Sequence, residues 1–366
     1  MPRNWSNEAI ACIEADFNRS ADTHLVPLRL GGFPGIHFYF KDESSHPTGS
    51  LKHRLARSLF LYALANGWLR PGAPVIEASS GSTAVSEAYF ARLLGVPFIA
   101  VMPRATSPEK LAAIAFYGGT CHLIDDPAAI HDESVRLARE TGGHFMDQFT
   151  YAERATDWRA NNNIAESIFQ QMRCEPCPVP AWIVAAAGTG GTSATIGRYV
   201  RYRRHPTRLL CPDPEGSAFF PGYRDGNRKE KAPGSRIEGI GRPRVEASFL
   251  PQVIDAMIRV PDVWSLAAMH ELSARLGYPV GGSSGTNLIG ALWAAEQMKA
   301  QGESGAIVAI LCDGGERYRH SYYNADWLKA NDLAIDTPRD RLRSVLDDGS
   351  KLPALDASFQ AQEASR

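Results

Sequence analysis

The chain of 366 residues is 44% hydrophobic and 22% charged, and its 39 basic residues nearly balance 40 acidic ones, for a formal net charge of -1. That length buries an ample core in two subdomains, or in one large domain with a smaller lobe, and the near-neutral balance excludes a general binder of nucleic acid or anionic membrane. Six scattered cysteines form no disulfide framework, no run spans a membrane, and "MPRNWSNEAIACIEADF" has neither a signal-peptide core nor a lipidation motif, so small-molecule chemistry in a reducing cytoplasm is expected.

In chain order, "IHFYFKDE" (36–43) reads as a strand running into the loop "SSHPTGSLKHRLARSLF", which becomes an amphipathic helix with Leu51, Leu55, Leu59 and Phe60 on its buried face. Strands follow at 73–79, 97–103, 120–125 and 143–147, with helices at 83–94, 107–117 and 128–141 between them. Four short strands alternating with three helices imply a parallel α/β lobe. A second set opens with a helix at 155–172 and the buried strand "AWIVAAAG", then a glycine loop, the helix "TSATIGRYVRYRR" and the strand "TRLLCPD". "DAMIRVPD", helices at 262–276 and 286–301, and "GAIVAILCDGG" complete it. The expected organisation is a small mobile lobe over 43–154, a large lobe over 1–42 and 155–335 facing it across a cleft, and a peripheral polar tail over 336–366 with a frayed end. The Gly- and Pro-rich stretch 213–250 is a functional or mobile loop on length alone.

Lys52 stands at the positive end of its helix, the wrong end for an ammonium. It is either a surface cation whose stem covers apolar area, or an amine held there and made nucleophilic enough to form a Schiff base. "AAAGTGGTSATIG" places Gly188, Thr189, Gly190, Gly191 and Thr192 between an apolar strand and a helix, an arrangement whose exposed amides suit a phosphate. A dinucleotide fingerprint with Asp213 as its acidic residue is the rival, but Ser193 replaces its third glycine. "EASSGSTAVSEAYFARLLG" repeats the design with Ser79, Ser80, Gly81, Ser82 and Thr83, which suit a carboxylate or are plain capping residues. "VGGSSGTNL" supplies Ser283, able to hydrogen-bond a ring nitrogen. Cys174 and Cys177 have C-x-x-C spacing without a second pair, and no metal is assigned to them. A reactive lysine, two anion cradles and a hydroxyl beside a heteroaromatic nitrogen together describe pyridoxal 5'-phosphate holding an α-amino acid.

From Thr23 to Tyr318 the sequence resembles the fold type II pyridoxal-phosphate enzymes, closest to the cysteine synthase group and, within it, to the L-cysteine desulfhydrases. "PTGSLKHR" carries the S-x-K lysine as Lys52, "GTGGT" the phosphate loop and "GGSSG" the pyridine-nitrogen serine, Ser283. "EGIG" (238–241), with Gly239, and "DGGERY" (313–318) resemble the later active-site loop and closing strand, and Gln148 in "DQF" a residue near the substrate carboxylate. "SSGST" stands where synthases have S-G-N-T, so Ser82 replaces the asparagine that meets the cofactor's 3'-oxygen. The resemblance implies a tryptophan synthase β-like α/β fold of two three-layer αβα lobes with mostly parallel sheets, and a homodimer. It implies β-elimination of L-cysteine through α-aminoacrylate to hydrogen sulfide, pyruvate and ammonia. The alternatives are a β-replacing cysteine synthase and a Rossmann-type oxidoreductase.

Overall fold

The computed structural model describes residues 3–360. The chain opens with α1 (Arg3–Asn18), β1 (His24–Leu28), β2 (Ile36–Asp42) and α2 (Lys52–Ala65). An alternating run follows: β3 (Val75–Ala78), α3 (Ser82–Leu94), β4 (Phe98–Pro103), α4 (Pro108–Phe116), β5 (Thr120–Ile124), α5 (Ile130–Thr141) and β6 (His144–Phe145). Next come α6 (Gln148–Ala155), α7 (Ile164–Met172), β7 (Trp182–Val184), α8 (Gly191–Arg203), β8 (Arg208–Pro214), α9 (Phe219–Arg224) and β9 (Ala256–Val260). The last elements are α10 (Asp262–Leu276), α11 (Gly282–Ala300), β10 (Gly305–Leu311), α12 (Ala325–Ala330), α13 (Asp336–Asp348) and β11 (Ala357–Phe359).

These elements form two compact units, one joining the chain up to Asp22 with His46–Asp157, the other joining Thr23–Ser45 with the chain from Trp158 onward. The first unit is built on a fully parallel sheet in the order β5-β4-β3-β6. Its two central strands are short and mostly apolar, as buried parallel strands are: Val75, Ile76, Ala100 and Val101 are all fully buried, and Glu77 in β3 is the exception. The second unit has a seven-stranded sheet in the order β1-β2-β10-β7-β8-β9-β11. Its five central strands run parallel, and β1 and β11 pair antiparallel at the two edges. Helix α11 lies on this sheet with its apolar residues buried all round, and glycines let it sit close: a Cβ at Gly290 would come within 2.7 Å of Val184, and one at Gly285 would strike the carbonyl of Ser265 on α10.

Four expectations are corrected. The helix expected over 155–172 begins only at Ile164: α6 ends at Ala155, the chain turns with Asn161 and Asn162 in left-handed backbone, and Asn163 then caps α7 through the Ala165 and Glu166 amides. The helix expected from 286 begins at Gly282, so Ser283 lies in its first turn. Residues 1–42 do not all join the larger unit: α1 packs on α2 and α3, with Ile13 fully buried. The segment after 335 is not peripheral, since Leu342, Val345 and Leu346 of α13 belong to the core and β11 extends the sheet. The expected frayed end at 361–366 lies outside the described residues. The stretch 213–250 contains the short α9 and anchors itself by buried Phe219, Phe220, Ile237 and Phe249.

Candidate active site

In the first unit the residues singled out gather where β3 and β6 end and α2, α3 and α6 begin. Lys52 is the first residue of α2, half-buried, behind Leu51 at the cap position with no side-chain cap. The preceding turn is braced: Gly49 takes φ 71°, and Thr48 Oγ1 lies 2.8 Å from Ser86 Oγ of α3 and 3.2 Å from His53 Nδ1. Ser50 Oγ, two residues before the lysine, is buried with no hydrogen-bond partner among the described residues. An orphaned buried hydroxyl beside a half-buried amine marks a place prepared for a polar group from outside the chain.

The strand β3 ends at Ala78, and the turn Ser79–Gly81 leads into α3, with Gly81 extended at the cap and Ser82 the first helical residue. Ser79 Oγ accepts from Gly81 N at 3.2 Å, which tightens the turn. Helix α3 has no side-chain cap, and a helix N-terminus of this kind suits a carboxylate. Thr83 Oγ1 donates to Gln148 Oε1 at 2.7 Å, fastening α3 to α6 and leaving the Gln148 amide nitrogen as a donor. Ser79, Ser80, Gly81 and Ser82 keep partial exposure, whereas Thr83 and Gln148 are buried behind them.

The second unit collects Gly188–Thr192, Gly239 and Ser283. Past β7 the chain turns through Gly188 and Gly190, the latter at φ 92°, into the thirteen-residue α8. A Cβ at Gly188 would run into the carbonyl oxygen of Gly239, and one at Gly190 would sit 2.5 Å from Phe249 Cα. Glycine at 188 and 190 is therefore what lets the loop, the 238–241 segment and residue 249 close on one another, with Gly241 N bonded to Ala187 O at 2.8 Å. The exposed Gly239 has φ 87°, and Tyr322 Oη steadies its loop by accepting from Glu238 N at 2.9 Å and donating to Arg236 O at 2.7 Å. Asn287 of α11 accepts from Ala186 N at 2.8 Å and donates to Ile310 O at 2.7 Å. Ser283 sits one turn earlier on the same face, so this clamp carries it to the end of the sheet where Gly188–Thr192 lie. Residues 313–318 are not a closing strand: β10 stops at Leu311, and Tyr318 Oη donates to Asp313 Oδ2 at 2.7 Å across a turn.

A glycine cradle at a helix N-terminus fits a phosphate, the Ser79–Thr83 turn fits a carboxylate, and the half-buried lysine fits an aldehyde: the donor set matches pyridoxal phosphate with an amino acid. Residues 19–313 match the family described as "Pyridoxal-phosphate dependent enzyme". The chain belongs to that family. It is 59% identical over 338 residues to the L-cysteine desulfhydrase Cds1 of Mycobacterium tuberculosis, covering 91% of this chain and 92% of that one. It is 31% identical over 301 residues to cysteine synthase B of Escherichia coli, covering 81% and 91%. Among solved structures, an O-ureido-L-serine synthase superposes with a TM-score of 0.73 at 27% identity, over 86% of this chain and 95% of that one. An O-acetyl serine sulfhydrylase from Entamoeba histolytica superposes with a TM-score of 0.76 at 23% identity, over 93% and 95%, and shares the fold. The cofactor of this family is pyridoxal phosphate, and the α/β architecture with mostly parallel sheets is that of the cysteine synthase relatives.

Asp213, the residue a dinucleotide reading needs at the surface, is 0% exposed at the end of β8 and accepts from Phe220 N at 2.8 Å. Burial pushes its carboxyl up to about 7 against the pull of the Phe220 amide and Ser217 hydroxyl. The folded chain thus keeps a proton that the unfolded chain releases near 3.8, so this stabilising contribution is complete below that pH and is lost as pH rises to about 7. Asp213→Asn is expected to flatten that part of the pH dependence and to raise stability at pH 8 by up to about 4 kcal/mol, measured by urea unfolding across pH. Among the described residues, no helix is long and apolar enough to cross a membrane.

The sequence reading passed over two residues. Glu77 and Glu87 are both 0% exposed, at the end of β3 and in the second turn of α3. Their signal was present: Glu87 falls between Ala84, Ala88 and Ala91 on the apolar face of its helix, where an acid is out of place.

Proposed function

We propose that this chain is a pyridoxal-phosphate-dependent L-cysteine desulfhydrase, converting L-cysteine and water to hydrogen sulfide, pyruvate and ammonia. The observation that carries the reading is the 59% identity to an L-cysteine desulfhydrase along 91% of the chain. The cofactor, when bound, supplies an aldehyde for amino groups and a sink for the electron pair left at Cα. In this reading Lys52 would hold the cofactor covalently, and its Nζ, as the free amine, would take the Cα proton of the substrate. Amides and hydroxyls of Ser79, Ser80, Gly81 and Thr83, with the Gln148 side chain and Gly239, grip the substrate carboxylate. Gly188–Thr192 would hold the phosphate at the positive end of helix α8. Ser283 would offer the ring nitrogen a hydroxyl, a partner that suits loss of the β-thiol over transamination. Ser82, shorter than an asparagine, would reach the 3'-oxygen less closely.

A β-replacing cysteine synthase is the second reading, supported by the 31% identity to cysteine synthase B. The two separate on one comparison: sulfide and pyruvate from L-cysteine alone against cysteine from O-acetylserine plus sulfide. Equimolar sulfide and pyruvate, with kcat/KM for cysteine the larger, is the expected result; almost no pyruvate from cysteine would establish replacement. The proposed setting is a homodimer in the cytoplasm, in keeping with the scattered free cysteines.

A further inference from the structure

The fully buried acids Glu77 and Glu87 lie behind the turn that would grip the substrate carboxylate. Glu77 Oε1 accepts from Ala78 N at 2.8 Å, and its Oε2 accepts from Gln148 N at 3.2 Å. One carboxylate therefore joins the residue that opens the Ser79–Thr83 turn to the residue that opens α6. The Thr83–Gln148 bond closes the same frame from the other side. Neither oxygen of Glu87 meets an amide or hydroxyl among the described residues; its neighbour is the Glu77 carboxyl. The charges that face the pair are Lys52 from α2, acting on Glu87, and Asp147 from the turn before α6, acting on Glu77.

Two adjacent carboxylates out of contact with water cannot both be ionised without a cost far above that of holding one proton. We propose that Glu77 and Glu87 are a proton-sharing pair of positioning residues: Glu87 donates to Glu77, and Glu77, carrying the pair's single charge, fixes the main chain of Ala78 and Gln148 and so sets the width of the carboxylate-gripping turn. Burial drives both carboxyls above their ordinary range, Glu87 further because Glu77 repels a second charge, in line with this division. The arrangement also leaves one negative charge in the electrostatic neighbourhood of Lys52. The proposal deepens the site described under the proposed function and rests on the carboxylate reading of its turn.

Isosteric variants test it in the holoenzyme. Glu87→Gln keeps a donor toward Glu77 and is expected to hold KM for L-cysteine within about twofold. Glu77→Gln turns an NH2 toward one of the two amides, and is expected to raise KM about tenfold with a smaller change in kcat. The infrared difference spectrum, wild type minus Glu87→Gln near pH 7, should show the carbonyl stretch of one neutral carboxylic acid, since the contribution of Asp213 is common to both proteins and cancels. No such band in the difference spectrum, or a rise in KM as large in Glu87→Gln as in Glu77→Gln, would overturn the pair. Gln148→Ala separates the premises: if neither it nor Glu77→Gln moves KM while the band stays assigned to Glu87, the carboxylate reading of the turn fails and the positioning role fails with it, leaving the shared proton intact.

Discussion

Lys52→Ala is expected to lower sulfide release from L-cysteine by roughly 10³-fold or more, since under the proposed function it removes both the covalent partner of the cofactor and the base that takes the Cα proton. The fold should hardly notice. Lys52 is half-buried in the first turn of α2, where its charge opposes the helix dipole, so its loss should change apoenzyme stability by less than about 1 kcal/mol. A melting curve of the apo variant checks the second half. Activity lost together with the fold would mean that the lysine is a packing residue. Added methylamine restoring part of the rate would point to the amine itself.

The second large effect lies in the other unit. Gly188→Ala places a methyl group against the main-chain carbonyl of Gly239, and neither neighbour is a flexible side chain that can swing away. Either the 188–192 loop or the 238–241 loop must move, and misplacement of about 1 Å costs on the order of 10²-fold in rate. Retention of pyridoxal phosphate, read by its absorbance after dialysis, is expected to fall as well. Gly81→Ala is the matched control: its Cβ meets nothing within 4 Å and its φ of -111° suits any residue, so the fold should tolerate it. If both glycine variants keep the cofactor equally well, Gly188 is not part of its cradle.

Much of this arrangement was legible because its signals are local. The run from β3 to β6 was readable from short apolar stretches bounded by glycine and proline, and the start of α2 from the turn residues before Lys52. The glycines at 188–191 were read as exposing amides for an anion; only the fold shows that Gly188 also admits the carbonyl of Gly239. Missed features depended on pairing or packing across long separations. Edge strand β1 is made by pairing with β2, and β11 by pairing with β9 nearly a hundred residues earlier. Helix α13 looked peripheral because it is polar overall, yet Leu342, Val345 and Leu346 suffice to seat it on the core. The division of residues 1–42 failed for the same reason: nothing within α1 says that its apolar face belongs to α2 and α3, whereas β1 and β2 belong to the other sheet. Glu87 is hidden in the sequence by the small apolar residues that flank it on α3.

The central claim is that Lys52 holds the cofactor, and borohydride reduction of the purified holoenzyme followed by peptide mapping addresses it directly. The account predicts a yellow protein, one pyridoxyl group per chain, and that group on the peptide containing Lys52. A reduced cofactor attached to another lysine, or a colourless protein retaining a dinucleotide, would contradict it.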